Sequence, residues 1–471
     1  MMAVSGTRDA LLARGSVLAL VLGIWLWPTP EGLAPDAWRL FALFAGAIAS
    51  VVLGALPILT AAVLALAAAV LTGTLAPQAA YSGFANGTIL LIVVAFLVAR
   101  TVVHTGLGAR LGYSVVAVFG RSSLGLGYSI FLVDAIIAPA FPSNTARGAV
   151  LYPIAYSLSV DSGSRPDDGT RRRLGSFLMM LGIVSLTISS ALWLTAMAAN
   201  PAGARLAEEF GLKISFGSWF LAALAPSLAA LVIIPYVLYR IFPPVLKATP
   251  EAPRAAADRL AAMGPMSPAE WITGSVFFLM VTGWALSSRL GIDATAIAFL
   301  GLGVLMVTGV YRMEDLRSEG EALGILIWFS VLYTLSTALN QLGFMTYLGD
   351  LMANQLEGLS WPVVYAALVC LYVLIHYLFV SQSAQLLALF GIFMGVATNA
   401  GVPAELMAFM LLFATNFFAA ITPQASSANV IFIGSEYITQ REVYRVGGLI
   451  TLANLIVFMV VGTPWILFLG L

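Results

Sequence analysis

Long apolar runs separated by short polar breaks fill almost the whole chain. A helix needs about 20 apolar residues to cross the ~30 Å hydrocarbon core of a bilayer, and many of the runs approach that length. The pattern therefore predicts about eleven membrane-spanning helices. Their predicted bounds are 16–27, 38–53, 56–75, 89–104, 177–199, 216–241, 271–290, 295–311, 325–342, 404–421 and 446–471.

Two further apolar stretches, 126–160 and 361–400, are each interrupted by a polar tip. In the first, the tip is Pro142-Ser143-Asn144-Thr145, and the arm that follows it would reach only roughly 24 Å as a helix. Two short arms that meet at a polar turn predict a re-entrant hairpin. Because unpaired backbone groups cannot face lipid, such a tip must line a wet cavity enclosed by protein.

Composition supports a polytopic, all-α membrane protein. Of the 471 residues, 61% are hydrophobic and 9% charged, against about 25% charged in soluble domains; the mean hydropathy is +0.98. Basic and acidic residues are equal in number, which gives no reason to expect a nucleic-acid partner.

An enzyme is disfavoured, because neither lysine lies in a phosphate-binding loop. A channel stays the rival class, since polar re-entrant loops also build selectivity filters.

Basic residues predict the orientation and the domain plan. A cytoplasmic N-terminus places Arg8, Arg14, Arg165, Arg171, Arg172, Arg173, Arg240, Lys247, Arg254, Arg259, Arg312, Arg317, Arg441 and Arg445 inside, and only Arg39, Arg205, Lys213 and Arg289 outside. The first hairpin then opens to the cytoplasm and the second outward.

We expect four parts along the chain: an N-terminal span in 1–35, a first repeat in 36–246, a soluble cytoplasmic linker in 247–267 and a second repeat in 268–471. Segments 106–121 and 343–358 have the mixed polarity of interfacial helices.

The two halves of the chain share a pattern. The apolar run 89–107 matches 325–342, and Ser143-Asn144-Thr145 matches Ser381-Gln382-Ser383. The stretch from Thr195 to Asn200 matches that from Thr422 to Asn429, so each half has a hairpin and a span broken by polar, proline-containing sequence. With opposite hairpin openings these are inverted repeats, the architecture of many secondary transporters.

One stretch resembles a known family. Residues 138–147, Ala-Pro-Ala-Phe-Pro-Ser-Asn-Thr-Ala-Arg, are similar to the first hairpin signature of the divalent anion/sodium symporter family, in its branch of citrate/succinate antiporters and oxoglutarate/malate translocators. Thr422-Pro423 and Asn429 resemble the second broken span of that family. The resemblance implies a homodimer, a scaffold with an elevator-like transport domain, and tips that hold carboxylates. The second tip departs from the family pattern: it reads Ser381-Gln382-Ser383-Ala384-Gln385, where that branch often has Ser-x-Ser-Ala-His.

The candidate site residues are hydrogen-bond donors and carbonyls. The predicted substrate ligands are Ser143, Asn144, Thr145, Ser381, Gln382, Ser383, Thr422 and Pro423, helped by the partial positive charge of the helix that follows each tip. Pro423 also frees a backbone carbonyl four residues earlier, a hard oxygen suited to Na⁺. Thr195, Asn200 and Asn429 are candidates for Na⁺ or substrate, and Na⁺ is the one cofactor considered.

Arg147 is the unusual charge, because an intramembrane arginine is costly and indicates function. The acid nearest to it in the chain, Asp134, precedes the first tip by nine residues and does not look like its partner. A permanent, unpaired charge at Arg147 would be compensated by a bound dianion. An empty site would leave that charge uncompensated and would cross the membrane slowly.

We therefore expect an inner-membrane transporter of C4-dicarboxylate, oxoglutarate or citrate type that works by anion exchange. Na⁺-coupled symport is the alternative, and an anion channel is the alternative from another class.

Overall fold

The computed structural model describes residues 7–317, 319–356 and 358–470. Over these residues the chain is helical and forms no strand, apart from an isolated bridge between Ser122 and Ala248. Helices satisfy their own backbone hydrogen bonds, which is the condition for crossing lipid.

The first half contains eleven α-helices and four short 3₁₀ helices among the described residues. The α-helices are α1 (Thr7–Leu26), α2 (Pro35–Val52), α3 (Ile58–Leu71), α4 (Pro77–Ala80), α5 (Gly87–His104), α6 (Leu107–Phe119), α7 (Ser123–Ile137), α8 (Asn144–Asp161), α9 (Gly175–Leu192), α10 (Ala199–Ala207) and α11 (Phe216–Ile241). The 3₁₀ helices are Ser82–Ala85, Ala138–Ala140, Leu194–Ala196 and Glu208–Phe210.

The second half continues the same way. Its helices are α12 (Ala252–Ala262), α13 (Pro268–Leu290), α14 (Ala294–Val307), α15 (Met313–Arg317), α16 (Gly320–Gln341), α17 (Phe344–Leu356), α18 (Trp361–Ile375), α19 (Gln382–Asn399), α20 (Ala404–Phe417), α21 (Ser427–Ile433), α22 (Gln440–Glu442), α23 (Gly448–Val457) and α24 (Thr463–Leu469). The 3₁₀ helices are His376–Leu378 and Phe418–Ala420, and the π-helical turns Val443–Gly447 and Phe458–Gly462 join the last three α-helices.

The helix count agrees with the predicted spans. Within the described residues, ten helices are long and apolar enough to cross a membrane. Two of these, α7 and α18, are the first arms of the hairpins. The shorter apolar helices α3, α14 and α20 complete a set of eleven spans and two hairpins, and α6 and α17 occupy the two segments predicted to lie in the interface.

The stretch 247–267, predicted as a soluble cytoplasmic linker, is partly helical. It contains α12, which packs on α6. Arg110 of α6 donates from Nη1 to Gly264 O at 2.9 Å, and its Nε lies 2.6 Å from Glu270 Oε1. The alanines of α12, of which Ala252 and Ala256 are buried, are small side chains that allow α12 to approach α6 closely.

The centre of the fold is α9. Every one of its residues is buried, and it packs against α7, α8, α11 and α20. Gly182 is required there, because a Cβ at that position would lie 2.2 Å from Phe432 Cε1 of α21. The first hairpin and the second broken span therefore both pack on α9, the helix that opens the first broken span.

Candidate functional site

The two hairpin tips have the same local structure. Ser143 and Ser381 are extended (φ −143° and −151°) and cap the N-termini of α8 and α19. Their hydroxyl oxygens accept from Ala146 N–H at 3.2 Å and Ala384 N–H at 3.3 Å, the usual serine cap. Each hydroxyl proton stays available to donate. Both tips thus offer a hydroxyl donor at the partially positive end of a helix.

The tips are bonded directly to each other. Asn144 Nδ2 donates to Gln382 Oε1 at 3.1 Å, and Gln382 Nε2 donates to Thr415 O at 2.6 Å. Each amide nitrogen carries a second N–H that these bonds do not use. The two tips, 238 residues apart in the chain, therefore form one surface.

A cavity of about 190 Å³ lies against this surface. All six predicted tip residues line it: Ser143, Asn144, Thr145, Ser381, Gln382 and Ser383. The broken spans add Met197-Ala198 from the first half and Ser426-Ser427 from the second, and α5 and α16 add Phe96, Glu321, Ile325 and Trp328. Thr145 and Ser427 share a hydroxyl–hydroxyl hydrogen bond of 2.7 Å, which ties the first tip to the second broken span.

Arg147 is fully buried behind the first tip and is paired with Asp134. Its Nη1 lies 3.1 Å from Asp134 Oδ1, both side chains are 0% exposed, and it also donates to Ser189 Oγ at 2.6 Å. Its Nη2 donates to Asn144 Oδ1 at 2.6 Å and to Ser190 Oγ. The expectation that Asp134 is not the partner is wrong. Because the chain reverses at the tip, the last turn of α7 and the first turn of α8 lie at the same depth.

Gln385 occupies the place in the second hairpin that Arg147 has in the first. Arg147 N–H bonds Ser143 O, and Gln385 N–H bonds Ser381 O in the same way. Gln385 Nε2 donates to Tyr372 O at 2.7 Å, thirteen residues earlier, the same separation as from Arg147 to Asp134. His376, which is buried, lies with Nδ1 2.7 Å from Gln385 Oε1. In the second hairpin, the uncharged side chains of Gln385 and His376 thus make the contacts between the two arms that the ion pair of Arg147 and Asp134 makes in the first.

The breaks in the two spans are closed by equivalent asparagines. Asn200 Nδ2 donates to the carbonyls ten and seven residues earlier, Ser190 O at 2.8 Å and Trp193 O at 3.1 Å. Asn429 Nδ2 does the same to Ala419 O at 2.8 Å and Thr422 O at 3.0 Å. Ala419 O is the carbonyl that Pro423 was expected to free. The matched bonds place Asn200 and Asn429 at the same position of an internal repeat.

The remaining candidates lie behind the cavity surface. Thr195 Oγ1 donates to Pro139 O at 2.8 Å, and Thr422 Oγ1 is buried with no hydrogen-bond partner among the described residues. Neither these two nor Pro423, Asn200 and Asn429 belong to the cavity lining. Their assignment as substrate or Na⁺ ligands stays a prediction.

The sequence reasoning missed Met197, Ala198, Ser426, Ser427 and the four lining residues of α5 and α16. For the broken spans a signal existed. When the repeats are aligned on Asn200 and Asn429, Met197-Ala198 falls opposite Ser426-Ser427, and Met197 and Ser426 are both extended (φ −149° and −139°). For Glu321, Phe96, Ile325 and Trp328 no such signal exists, because they lie in uninterrupted helices.

Comparison with known proteins gives the same architecture and a set of relatives. The chain is 40% identical over 471 residues to a putative malate transporter, YflS, of Bacillus subtilis, covering 99% of this chain and 98% of the relative. It is 39% identical over 458 residues to dicarboxylate transporter 1 of Arabidopsis thaliana chloroplasts (96% and 82% covered). It is 31% identical over 472 residues to the L-tartrate/succinate antiporter of Escherichia coli (95% and 96% covered).

Solved structures share the fold at low sequence identity. The YdaH transporter of Alcanivorax borkumensis superposes with a TM-score of 0.56 at 16% identity, covering 98% of this chain and 97% of that chain. MtrF of Neisseria gonorrhoeae superposes with a TM-score of 0.58 at 14% identity, covering 96% and 97%. The family model described as the sodium:sulfate symporter transmembrane region matches residues 9–471. The chain therefore belongs to the divalent anion/sodium symporter family, whose members are transporters and not enzymes.

Proposed function

We propose that this protein is a secondary active transporter of di- and tricarboxylates, with C4 dicarboxylates as its main substrates. The observation that carries the proposal is the pair of serine-capped tips on one cavity, Ser143 with Asn144 and Ser381 with Gln382. A dianion loses its hydration on entering such a site, so the site must offer donors in place of water. Each tip supplies hydroxyl, amide and helix N-terminal donors for one carboxylate.

The names of the relatives support this substrate class. They include a putative malate transporter, chloroplast dicarboxylate transporters and an L-tartrate/succinate antiporter. Malate, tartrate and succinate are all C4 dianions at neutral pH, with two carboxylates at the ends of a short chain. That shape suits two donor groups on one surface.

We propose exchange as the transport mode. The reason is not an unpaired charge at Arg147, as the sequence suggested, but a cation that stays fixed in the protein. Asp134 pairs with Arg147. The positive charge of Arg147 is therefore already balanced before a substrate binds. Its guanidinium instead occupies the point where oxygens of Asp134, Asn144, Ser189 and Ser190 converge. A guanidinium does not deprotonate or dissociate, so this cation cannot leave with the substrate. One-for-one exchange of dianions moves no net charge and needs no departing cation.

Na⁺-coupled symport is the second candidate, and the family model described by sodium:sulfate symport favours it. Its ligands would come from the carbonyls at the breaks, Ser190, Trp193, Ala419 and Thr422. Asn200 and Asn429 already use one lone pair of each carbonyl, which leaves a second lone pair for a cation.

We further propose an elevator-like mechanism in a homodimer in the plasma membrane, with the N-terminus in the cytoplasm. The cavity supports an elevator because it lies between two sets of elements: the hairpins with the broken spans, and the uninterrupted helices α5 and α16. Movement of the first set past the second would carry the site across the bilayer. The homodimer rests on the family resemblance alone.

The decisive experiment is uptake of labelled succinate into proteoliposomes that are either preloaded with unlabelled succinate or empty. Exchange predicts strong uptake only into preloaded vesicles, whatever the Na⁺ gradient. Strong uptake into empty vesicles, driven by inward Na⁺, would replace exchange with symport. The same assay is then repeated with labelled malate, oxoglutarate and citrate. Absence of uptake of all four carboxylates in both preparations would overturn the proposed substrate class.

A further inference from the structure

We infer that Glu321 sets the charge limit of the site, so that dianions are carried in preference to trianions. This inference rests on the proposed function and narrows its substrate class. Glu321 is the one ionisable side chain in the cavity lining within the described residues. The other polar lining groups are hydroxyls and amides, which carry no charge.

The basic side chains near the cavity do not offset Glu321. Arg147 is fully buried and bonded to Asp134 at 3.1 Å, so that pair contributes no net charge. Glu319 and Arg100 are charged side chains that act electrostatically on Glu321. Arg100 Nε lies 2.7 Å from Glu319 Oε1, and this ion pair is neutral as a whole. When it is ionised, Glu321 therefore gives the described lining a single negative charge.

The position of Glu321 makes this charge selective. Glu321 lies in the first turn of α16 and is exposed, whereas Asn144 and Gln382 are buried (6% and 4% exposed). Glu321 thus marks the open end of the cavity, and the tips mark its closed surface. Two carboxylates occupy the two tips. A third carboxylate has no third tip and must lie along the remaining lining, towards Glu321.

The size of the effect follows from Coulomb's law. Two unit charges some 5–8 Å apart in a partly hydrated cleft repel by an amount that corresponds to about a three- to thirtyfold change in affinity. A dianion held at the tips lies farther from Glu321 and is repelled less. Replacing Glu321 by a neutral isostere should therefore help a trianion more than a dianion.

The test measures inhibition of succinate exchange in proteoliposomes by three probes. These are malate as the dianion, tricarballylate as the trianion, and the monoamide of tricarballylate as a dianion of the same size. Glu321→Gln should improve inhibition by tricarballylate about three- to thirtyfold, and improve inhibition by malate and the monoamide by a smaller factor. Glu321→Asp keeps the charge and should keep the discrimination of the wild type.

The matched control is Glu314→Gln, which removes an exposed acid of the neighbouring helix α15 that does not line the cavity. It should leave all three inhibition constants unchanged. An equal gain for all three probes in Glu321→Gln, or no gain for tricarballylate, would overturn the inference and leave the proposed function intact. If the wild-type protein carries no carboxylate, the proposed function and this inference fall together.

Discussion

Arg147 Nη1 lies 3.1 Å from Asp134 Oδ1, and neither side chain is exposed. Removing one partner of a buried ion pair strands the other and costs about 3–5 kcal/mol. The two sides are not equivalent, because a stranded carboxylate can take up a proton, whereas a guanidinium keeps its charge. We therefore expect Asp134→Asn to lower the thermal stability of the detergent-solubilised protein more than Arg147→Gln.

The double variant Asp134→Asn/Arg147→Gln provides the control for that pair. It leaves no charge in the cluster, so it should be more stable than Asp134→Asn alone. Thermal unfolding of all three variants forms a double-mutant cycle. Additive losses would show that the two side chains do not interact.

The bond from Asn144 to Gln382 predicts unequal effects at the two tips. Asn144 Oδ1 also accepts from Arg147 and Ser190, whereas among the described residues the side chain of Gln382 has one further partner, Thr415 O. Losing a hydrogen bond to a charged group costs about 1.5–3 kcal/mol. Asn144→Ala and Gln382→Ala should each weaken substrate binding roughly ten- to a hundredfold, with the larger loss in Asn144→Ala.

Binding to the purified variants can be followed by the substrate-induced rise in thermal stability. Ser157→Ala is a suitable control, since Ser157 donates to Ile154 O of its own helix and does not line the cavity. Both tip variants should still unfold cooperatively. If they bind substrate as the wild type does, the tips do not hold the substrate.

The predicted orientation can be tested by labelling cysteines on either side of the membrane. Gly169 and Gly358 have left-handed backbone (φ +80° and +88°), which disfavours any other residue. Exposed neighbours are better sites, so Asp167→Cys and Ser360→Cys are introduced singly after Cys370→Ser has removed the single native cysteine.

An impermeant maleimide applied to intact, right-side-out vesicles should label the cysteine at 360 and leave the one at 167 for labelling after lysis. The inverted repeat requires opposite sides, because the hairpins are predicted to open in opposite directions. Labelling of both positions from outside would contradict the predicted topology and, with it, the proposed mechanism.

The sequence by itself determined the helical membrane fold and the two tips. In lipid, a long apolar run can satisfy its backbone hydrogen bonds by forming a helix. The spans therefore follow from composition and spacing. The tips follow from local chemistry, because Ser143 and Ser381 cap the helices that they precede. The asparagines at 200 and 429 follow from the internal repeat, which fixes their place within each broken span.

Only the tertiary structure decided which groups meet. The pairing of Arg147 with Asp134 depends on how deeply each arm of the hairpin lies, and apolar periodicity does not set the depth of a residue to within one helical turn. Glu321 lies on the cavity because α16 packs beside the tips. Contacts of this kind join residues far apart in the chain. They are determined by the packing of whole helices, and no local pattern in the sequence encodes that packing.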